Sequence, residues 1–306
     1  MKPISFLQDS GQALSLRSDR SPTPAHKRLF FLFVTLLLAV TCLLLPVKQA
    51  MASSDKPSYT LGVFPNMPPQ ELESVFGPIA AAISKAIDAD VTFKTSSTYQ
   101  MFMDKLNEQA FDIAYVQPFD YVHIADKYGY KPLAAMSEPL ATMFVVKVDS
   151  NIEGFEDLRG KKIGFPPPVA AVSYLGKAYL KKRGFDLNKD IKISHFKSHL
   201  SCLQQVVIGT IDACGTAGPM VRYFQYRMGL HTKVIGESPS IPHVLFATHP
   251  RVKEEDRKMI LKVILSWSKT EEGKEMLKRS KLNSYNPITD DAYDVVRDLK
   301  KTLDLE

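Results

Sequence analysis

The chain has 306 residues, with 39 Lys and Arg against 33 Asp and Glu (formal net charge +6), 45% hydrophobic residues, 15 Gly, 20 Pro and 3 Cys. That composition excludes a mainly disordered chain, a collagen-like chain and a small disulfide-dense domain. The length accommodates one large domain or two smaller ones, and the +6 invites an anionic partner only if the charge is spread along the chain.

The charge is concentrated at the N-terminus. Residues 29–47 (LFFLFVTLLLAVTCLLLPV) carry no charge, follow His26, Lys27 and Arg28, and precede Ala50-Met51-Ala52. Basic flank, apolar stretch and small-x-small site together read as a secretory signal peptide over 1–52, cut after Ala52. The alternative is an uncleaved anchor, since a helix of that length, rising about 1.5 Å per residue, is long enough to span a bilayer. Either reading exports the remainder. Cys42 is not a lipoprotein cysteine, because Thr41 precedes it and the apolar run continues through Leu45. Residues 1–52 hold six Lys or Arg and two Asp or Glu, so the rest carries 33 basic against 31 acidic residues, a net +2. No run of basic residues interleaved with aromatics follows, and nucleic-acid binding is dropped.

Apolar runs and amphipathic stretches then alternate. A strand at 59–64 leads to a helix that Pro69 opens, with Phe76, Ile79, Ala80 and Ile83 on one face. Strand 90–95 leads to a helix capped by Ser97 or Thr98, whose apolar face holds Tyr99, Phe102, Met103, Leu106 and Ala110. Strand 111–116, a helix after Pro118, and strands 131–137 and 142–148 follow. The second series has a helical turn at 155–158 running into a strand, then a helix from the prolines at 166–168 to about Arg183, stopped by Gly184. Strand 191–196, helix 199–208, strand 210–214, helix 217–228, strand 232–236 and an apolar run at 243–248 complete it. The C-terminal end reads as helical, with Ile260, Val263, Ile264 and Trp267 on one face and Tyr293, Val296 and Leu303 on another. Strands alternating with helices in two series indicate an α/β protein of two lobes, each a mainly parallel sheet flanked by helices.

Within this pattern stand Tyr99 at a helix start; Asp112-Ile-Ala-Tyr-Val-Gln-Pro118 followed by Tyr121; the 155–165 stretch FEDLRGKKIGF; Ser198-His199 ahead of Gly209-Thr-Ile-Asp-Ala213; and Ser238-Pro-Ser-Ile-Pro242. This ordered set, over nearly all of 59–270, resembles the periplasmic phosphonate- and phosphite-binding proteins of ABC importers. The resemblance implies a type II periplasmic-binding fold, with lobe I at 53–145 plus 243–306 and lobe II at 146–242. It also implies crossings between the lobes near 143–147 and 240–245, and a ligand cleft where strand ends and helix N-termini converge. Free N–H groups and the positive end of the helix dipole favour an anion there. One departure matters most. The family's Ser-Thr-Ser triplet at the start of the first helix of lobe II is Ala170, Ala171 and Val172 here, followed by Ser173 and Tyr174. The family's acidic residue after the Ile-Pro pair is likewise replaced, by His243-Val244. Three lost hydroxyl donors to a charged oxygen, at roughly 1.5–3 kcal/mol each, argue for a less hydrophilic, aromatic-contacted anion.

The resemblance makes Tyr99, Tyr115, Gln117, Ser173, Tyr174, Ser198, His199, Thr216 and His243 the candidate ligand contacts, with His199 foremost. For each, a bland role competes: packed aromatic, cap or surface histidine. Cys202 and Cys214 form either a disulfide beside the cleft or two buried thiols. His195, His199, His243 and the cysteines would suit a metal only if they converged, and no compact ligand signature is present. No nucleophile elbow, P-loop or dinucleotide fingerprint appears, so neither catalytic residues nor a cofactor are assigned. The expected protein is a monomeric periplasmic solute-binding protein that captures a small anionic ligand and delivers it to an inner-membrane ABC permease. A ligand-sensing module feeding a membrane kinase is the first alternative and a periplasmic metal carrier the second.

Overall fold

Two halves of the chain repeat the same order of elements about one hundred residues apart. The protein is seen in a computed structural model that describes residues 56–229, 231–279 and 282–305; the expected signal peptide or anchor and Cys42 lie outside the described residues. The first half contains β1 (Ser58–Val63), α1 (Pro69–Ile87), β2 (Asp90–Lys94), α2 (Tyr99–Asn107), β3 (Ile113–Val116), α3 (Pro118–Tyr128) and β4 (Lys131–Met136). After β5 (Thr142–Lys147), the second contains β6 (Lys162–Phe165), α4 (Ala171–Lys182), β7 (Lys192–His195), α5 (His199–Ile208), β8 (Ala213–Ala217), α6 (Gly218–Met228) and β9 (Thr232–Glu237). The chain ends with β10 (Leu245–Thr248), α7 (Glu254–Ser266), α8 (Glu271–Arg279), β11 (Tyr285–Pro287) and α9 (Asp294–Thr302).

The sheets follow the same plan. One has the order β11-β4-β10-β3-β1-β2 and the other β9-β5-β8-β6-β7. In the first, β1 to β4 run one way and β10 and β11 the other. In the second, β6 to β9 run one way and β5 is reversed. The reversed inner strand of each sheet, β10 or β5, arrives from the opposite half. The chain leaves the first sheet after Met136 and enters the second at Thr142, a few residues before the crossing expected at 143–147. It returns between Glu237 and Leu245. The two crossing segments pair with each other through the Leu140–Ile241 bridge, each N–H donating to the other's carbonyl at 2.9 Å.

The repetition extends to side chains. Asp112, just before β3, accepts the Thr60 N–H at 2.7 Å; Asp212, just before β8, accepts the Lys162 N–H at 2.8 Å. Each carboxylate satisfies a backbone donor at the start of the neighbouring parallel strand. Gly62 and Gly164 hold equivalent places in β1 and β6, and a Cβ on either would approach Phe111 to 2.2 Å or Ile211 to 2.4 Å. These glycines let the residue before each aspartate seat itself against the strand. The acid–strand unit also explains why β8 starts at Ala213 rather than Thr210: Gly209 ends α5 in the left-handed region at φ 87°, and the turn runs on to Asp212.

The C-terminal region differs from the all-helical expectation, since Tyr285–Pro287 adds an antiparallel strand to the edge of the first sheet, where a proline is tolerated. Helix α9 then packs against both α3 and α4, and Arg297 on it meets Asp126 of α3 at 2.9 Å. The buried apolar cluster of the first half also contains Ala171, Val172, Leu175 and Ala178 of α4, so that helix belongs to both halves by packing.

Cys202 on α5 and Cys214 on β8 form a disulfide with Cα atoms 6.0 Å apart. The loop it closes spans 12 residues, and cross-linking a loop of that size stabilises a fold by about 2–4 kcal/mol. Guanidinium unfolding of the protein should therefore show a loss of about 2–4 kcal/mol in the Cys202→Ala/Cys214→Ala double variant. An unchanged midpoint would contradict a structural role for the bond.

Candidate functional site

The site is built where β3 and β8 hand over to helices, and where α2, α4 and α5 begin. Tyr99 opens α2, whose first turn is capped by the Thr98 hydroxyl, accepting from the Met101 N–H at 3.2 Å. Its hydroxyl donates to Oδ1 of Asp120, in the first turn of α3. Gln117, the residue that caps α3 ahead of Pro118, turns its side chain across the cleft. Its Nε2 donates to the Val169 carbonyl at 3.0 Å and to the Tyr99 hydroxyl at 3.2 Å. Its Oε1 accepts the Ala171 N–H at 2.9 Å.

That last bond has a direct consequence for anion binding. Ala171 is the first residue of α4, and Ala170 before it supplies no side-chain cap. The N–H that would face an anion at this helix start is instead satisfied by an amide oxygen from the other half of the molecule. Ser173 offers no replacement, since its hydroxyl donates to the Pro167 carbonyl at 3.0 Å within its own loop. Tyr174 packs on Phe119 of α3 with ring centroids 5.0 Å apart, a second contact across the cleft. The amino group of Lys177 lies 5.1 Å from the Tyr174 ring centroid.

The second half supplies a parallel constellation. His199 opens α5 as Tyr99 opens α2, and its Nδ1 pairs with the Thr216 hydroxyl at 2.7 Å. Ser198 is the cap of α5 and is spent in a reciprocal capping box with Ser201, at 3.1 Å and 3.0 Å. The disulfide joins Cys202, three residues after His199, to Cys214, two before Thr216, and so holds the two elements that carry the pair. His243 lies on the returning crossing segment, where its Nδ1 accepts the Val244 N–H at 2.8 Å. Burial pushes both His199 and His243 down to about 4, so both rings are neutral at neutral pH.

Tyr115 is placed elsewhere. It is 2% exposed, packed among Phe76, Phe246 and Tyr285, and its hydroxyl accepts from that of Tyr285 at 3.1 Å. A residue in the middle of a strand faces the core or the cleft according to the pleat, and the sequence alone does not set that phase. Among the described residues there is no group of three or more His, Cys, Asp or Glu able to hold a metal ion. A surface cavity of about 450 Å3 lies away from the cleft, beside Arg257, Lys258, Leu261 and Ile288. The candidate site is the cleft, where the Gln117 side chain of one half bonds the backbone of Val169 and Ala171 in the other.

The residue missing from the sequence-based set is Asp120. It is 5% exposed and its Oδ2 has no hydrogen-bond partner. Burial raises its carboxyl to about 7, against the opposing pull of hydrogen bonds from Tyr99 and Gln117. The available signal was an acid in an otherwise apolar strand-to-helix junction, Val116-Gln-Pro-Phe-Asp120.

A family model described as the periplasmic substrate-binding protein of phosphonate ABC transporters matches residues 61–293. Among solved structures, the chain is similar to a binding protein component of an ABC phosphonate transporter from Pseudomonas aeruginosa, at 18% identity and TM-score 0.65, covering 80% of this chain and 86% of that one. It is also similar to PhnD1 of Prochlorococcus marinus in complex with methylphosphonate, at 15% identity and TM-score 0.69, covering 81% and 98%. The periplasmic aliphatic sulphonate binding protein of Escherichia coli matches at 14% identity and TM-score 0.60, covering 81% and 93%. At these identities the solved structures establish the shared fold.

The raised carboxyl of Asp120 makes stability depend on pH with a definite sign. A group whose proton is held more tightly in the fold stabilises below its unfolded value, near 3.8, and loses that contribution as pH rises through about 7. The groups around it are Tyr99 on α2, Gln117, Tyr174 on α4 and, by longer-range charge, Lys300 on α9. Asp120→Asn should therefore melt higher than the parent at pH 8, by about 4 °C, and by much less at pH 5. His199 and His243 titrate alike in both proteins and cancel in the difference. An equal difference at both pH values would contradict this reading.

Proposed function

The chain belongs to the family of periplasmic substrate-binding proteins of phosphonate ABC transporters, and from that premise we propose that it is the exported capture component of an importer, closing its two halves around a small solute and presenting the closed form to an inner-membrane permease. The observation that carries this reading is the set of contacts across the cleft: Gln117 to Val169 and Ala171, and Phe119 to Tyr174. They join residues from separate sheets at the ends of strands, where open α/β sheets bind their ligands. Because two crossing segments connect the halves, breaking those few contacts allows a hinge motion with little change in either core.

The role is binding rather than catalysis. The matching family is one of solute-binding transport proteins, and the hydroxyls present are held within the fold: Ser173 by a carbonyl, Ser198 in a cap, and Thr216, fully buried, by the His199 imidazole. With Cys202 and Cys214 joined to each other, neither thiol is available as a metal ligand, which weakens the metal-carrier reading. The anionic ligand expected from the sequence is supported by the family and not by the local geometry. The start of α4 carries no hydroxyl triplet, and its first N–H is satisfied by Gln117.

Export is the second half of the proposal. Among the described residues no helix is long and apolar enough to cross a membrane, and the basic–apolar–Ala-x-Ala leader supplies the address. The mass of the protein recovered from the periplasm should correspond to a chain beginning at Ser53. Retention of residues 1–52 would favour the anchored form. Closure is tested by small-angle scattering: addition of a bound solute should reduce the radius of gyration, and an unchanged radius would overturn lobe closure.

A further inference from the structure

Asp120 is a buried carboxylate at the junction of the two halves, and its Oδ2 has no hydrogen-bond partner among the described residues. Buried ionised groups persist in proteins when they are paired, coordinated or functional, because an unpaired charge out of water is strongly disfavoured. Here Oδ1 is held by the Tyr99 hydroxyl, which fixes the carboxyl plane and leaves Oδ2 as the open acceptor. Two of the polar side chains nearby are already committed. Gln117 uses its oxygen on Ala171 and its amide protons on Val169 and Tyr99, and its N–H groups also lie close enough to Asp120 to favour the ionised carboxyl. Ser173 donates back to the Pro167 carbonyl ahead of its helix. Oδ2 of Asp120 is therefore an acceptor without a bonded donor, and a positively charged donor matches an ionised carboxylate best.

The surroundings fit the same chemistry. Tyr99, Phe119 and Tyr174 place three aromatic rings in the elements that meet at Asp120, and Tyr174 already carries the Lys177 amino group 5.1 Å from its ring centroid. Aromatic faces with a nearby carboxylate attract cations. The facing groups are Tyr99 from α2, Tyr174 from α4 and, farther off, Lys300 from α9, which favours the ionised form of Asp120.

We propose that the solute captured by this protein carries a protonated primary or secondary amine, and that its N–H groups donate to Oδ2 of Asp120 when the halves close. The proposal rests on the binding-protein reading above and names the ligand class of that same cleft. An amine entering the site displaces the carboxyl's proton to solvent, so binding strengthens as pH rises from 6 to 8.

The test is a melting and calorimetric screen of the protein at pH 8 with matched probes: putrescine against 1,4-butanediol, and ethanolamine against ethylene glycol, with methylphosphonate, ethanesulfonate and acetate as the anion set. The expected result is a rise in melting temperature with an amine and none with its neutral isostere. Affinity for that amine should fall at least tenfold in Asp120→Asn and at pH 6, while the variant still melts cooperatively. Asp120→Ser serves as a second variant, and it should lose the same amine. Amines that bind no better than their isosteres, or an amine retained by both variants, would overturn the proposal. A shift with the anion set alone would overturn it and leave the binding-protein reading standing, and no shift with any probe would count against both.

Discussion

One side chain ties the two halves of this protein together at the point where a ligand would be held. Gln117 directly follows β3 of the first sheet, yet both ends of its amide are bonded to the loop and helix that follow β6 in the second. An amide suits this position because it accepts and donates at once, and a helix start lacking its own cap leaves a backbone N–H that must be satisfied. Ala170 and Ala171 create that need, and Gln117 meets it from the other half. The replacement of hydroxyl residues at 170–172 and the presence of glutamine at 117 are thus two sides of one arrangement. Tyr99 and Asp120 follow from it, since the tyrosine hydroxyl accepts from Gln117 and donates a hydrogen bond to the carboxylate.

The duplicated plan of the chain explains why these residues converge. Each half places a strand-to-helix junction beside a capped helix start, so Tyr99 and His199 occupy equivalent positions and each reaches the junction that follows, at Asp120 or Thr216. The exchange of one strand between the sheets, β5 for β10, then turns the two junctions toward a common cleft. The halves are nonetheless stabilised differently. The second has a disulfide across its junction, whereas the first relies on an aromatic core around Tyr115 and an ion pair between Arg251 and Asp112 at 2.5 Å.

Much of this was legible in the sequence, because alternating apolar runs and capping residues report local structure directly. The helix starts at Pro69, Tyr99, Pro118 and His199 were read where they stand, as each has a proline or a hydroxyl cap to mark it. The strand at 213–217 was placed three residues early because Thr210 and Ile211 look strand-like while Asp212, bonded to the Lys162 N–H, sets the true start. The edge strand at 285–287 is too short to show an alternation. The motif makes Tyr115 and Ser173 candidate ligand contacts, but which way they point is decided by strand pleat and helix phase. Asp120 escaped notice for a related reason: in sequence it is an ordinary acid in the first turn of a helix, and only the packing of α2 and α4 around it makes it a buried charge.

The Gln117 amide fastens the start of α4 to the opposite half, and amide hydrogen exchange at Ala171 reads that bond. Replacing Gln117 with leucine removes the acceptor and leaves the α4 fold intact, so the Ala171 amide should exchange at least tenfold faster while the amides of Leu175 to Lys182 keep their protection. Unchanged exchange at Ala171 in that variant would show that the cleft is closed by something other than this bond.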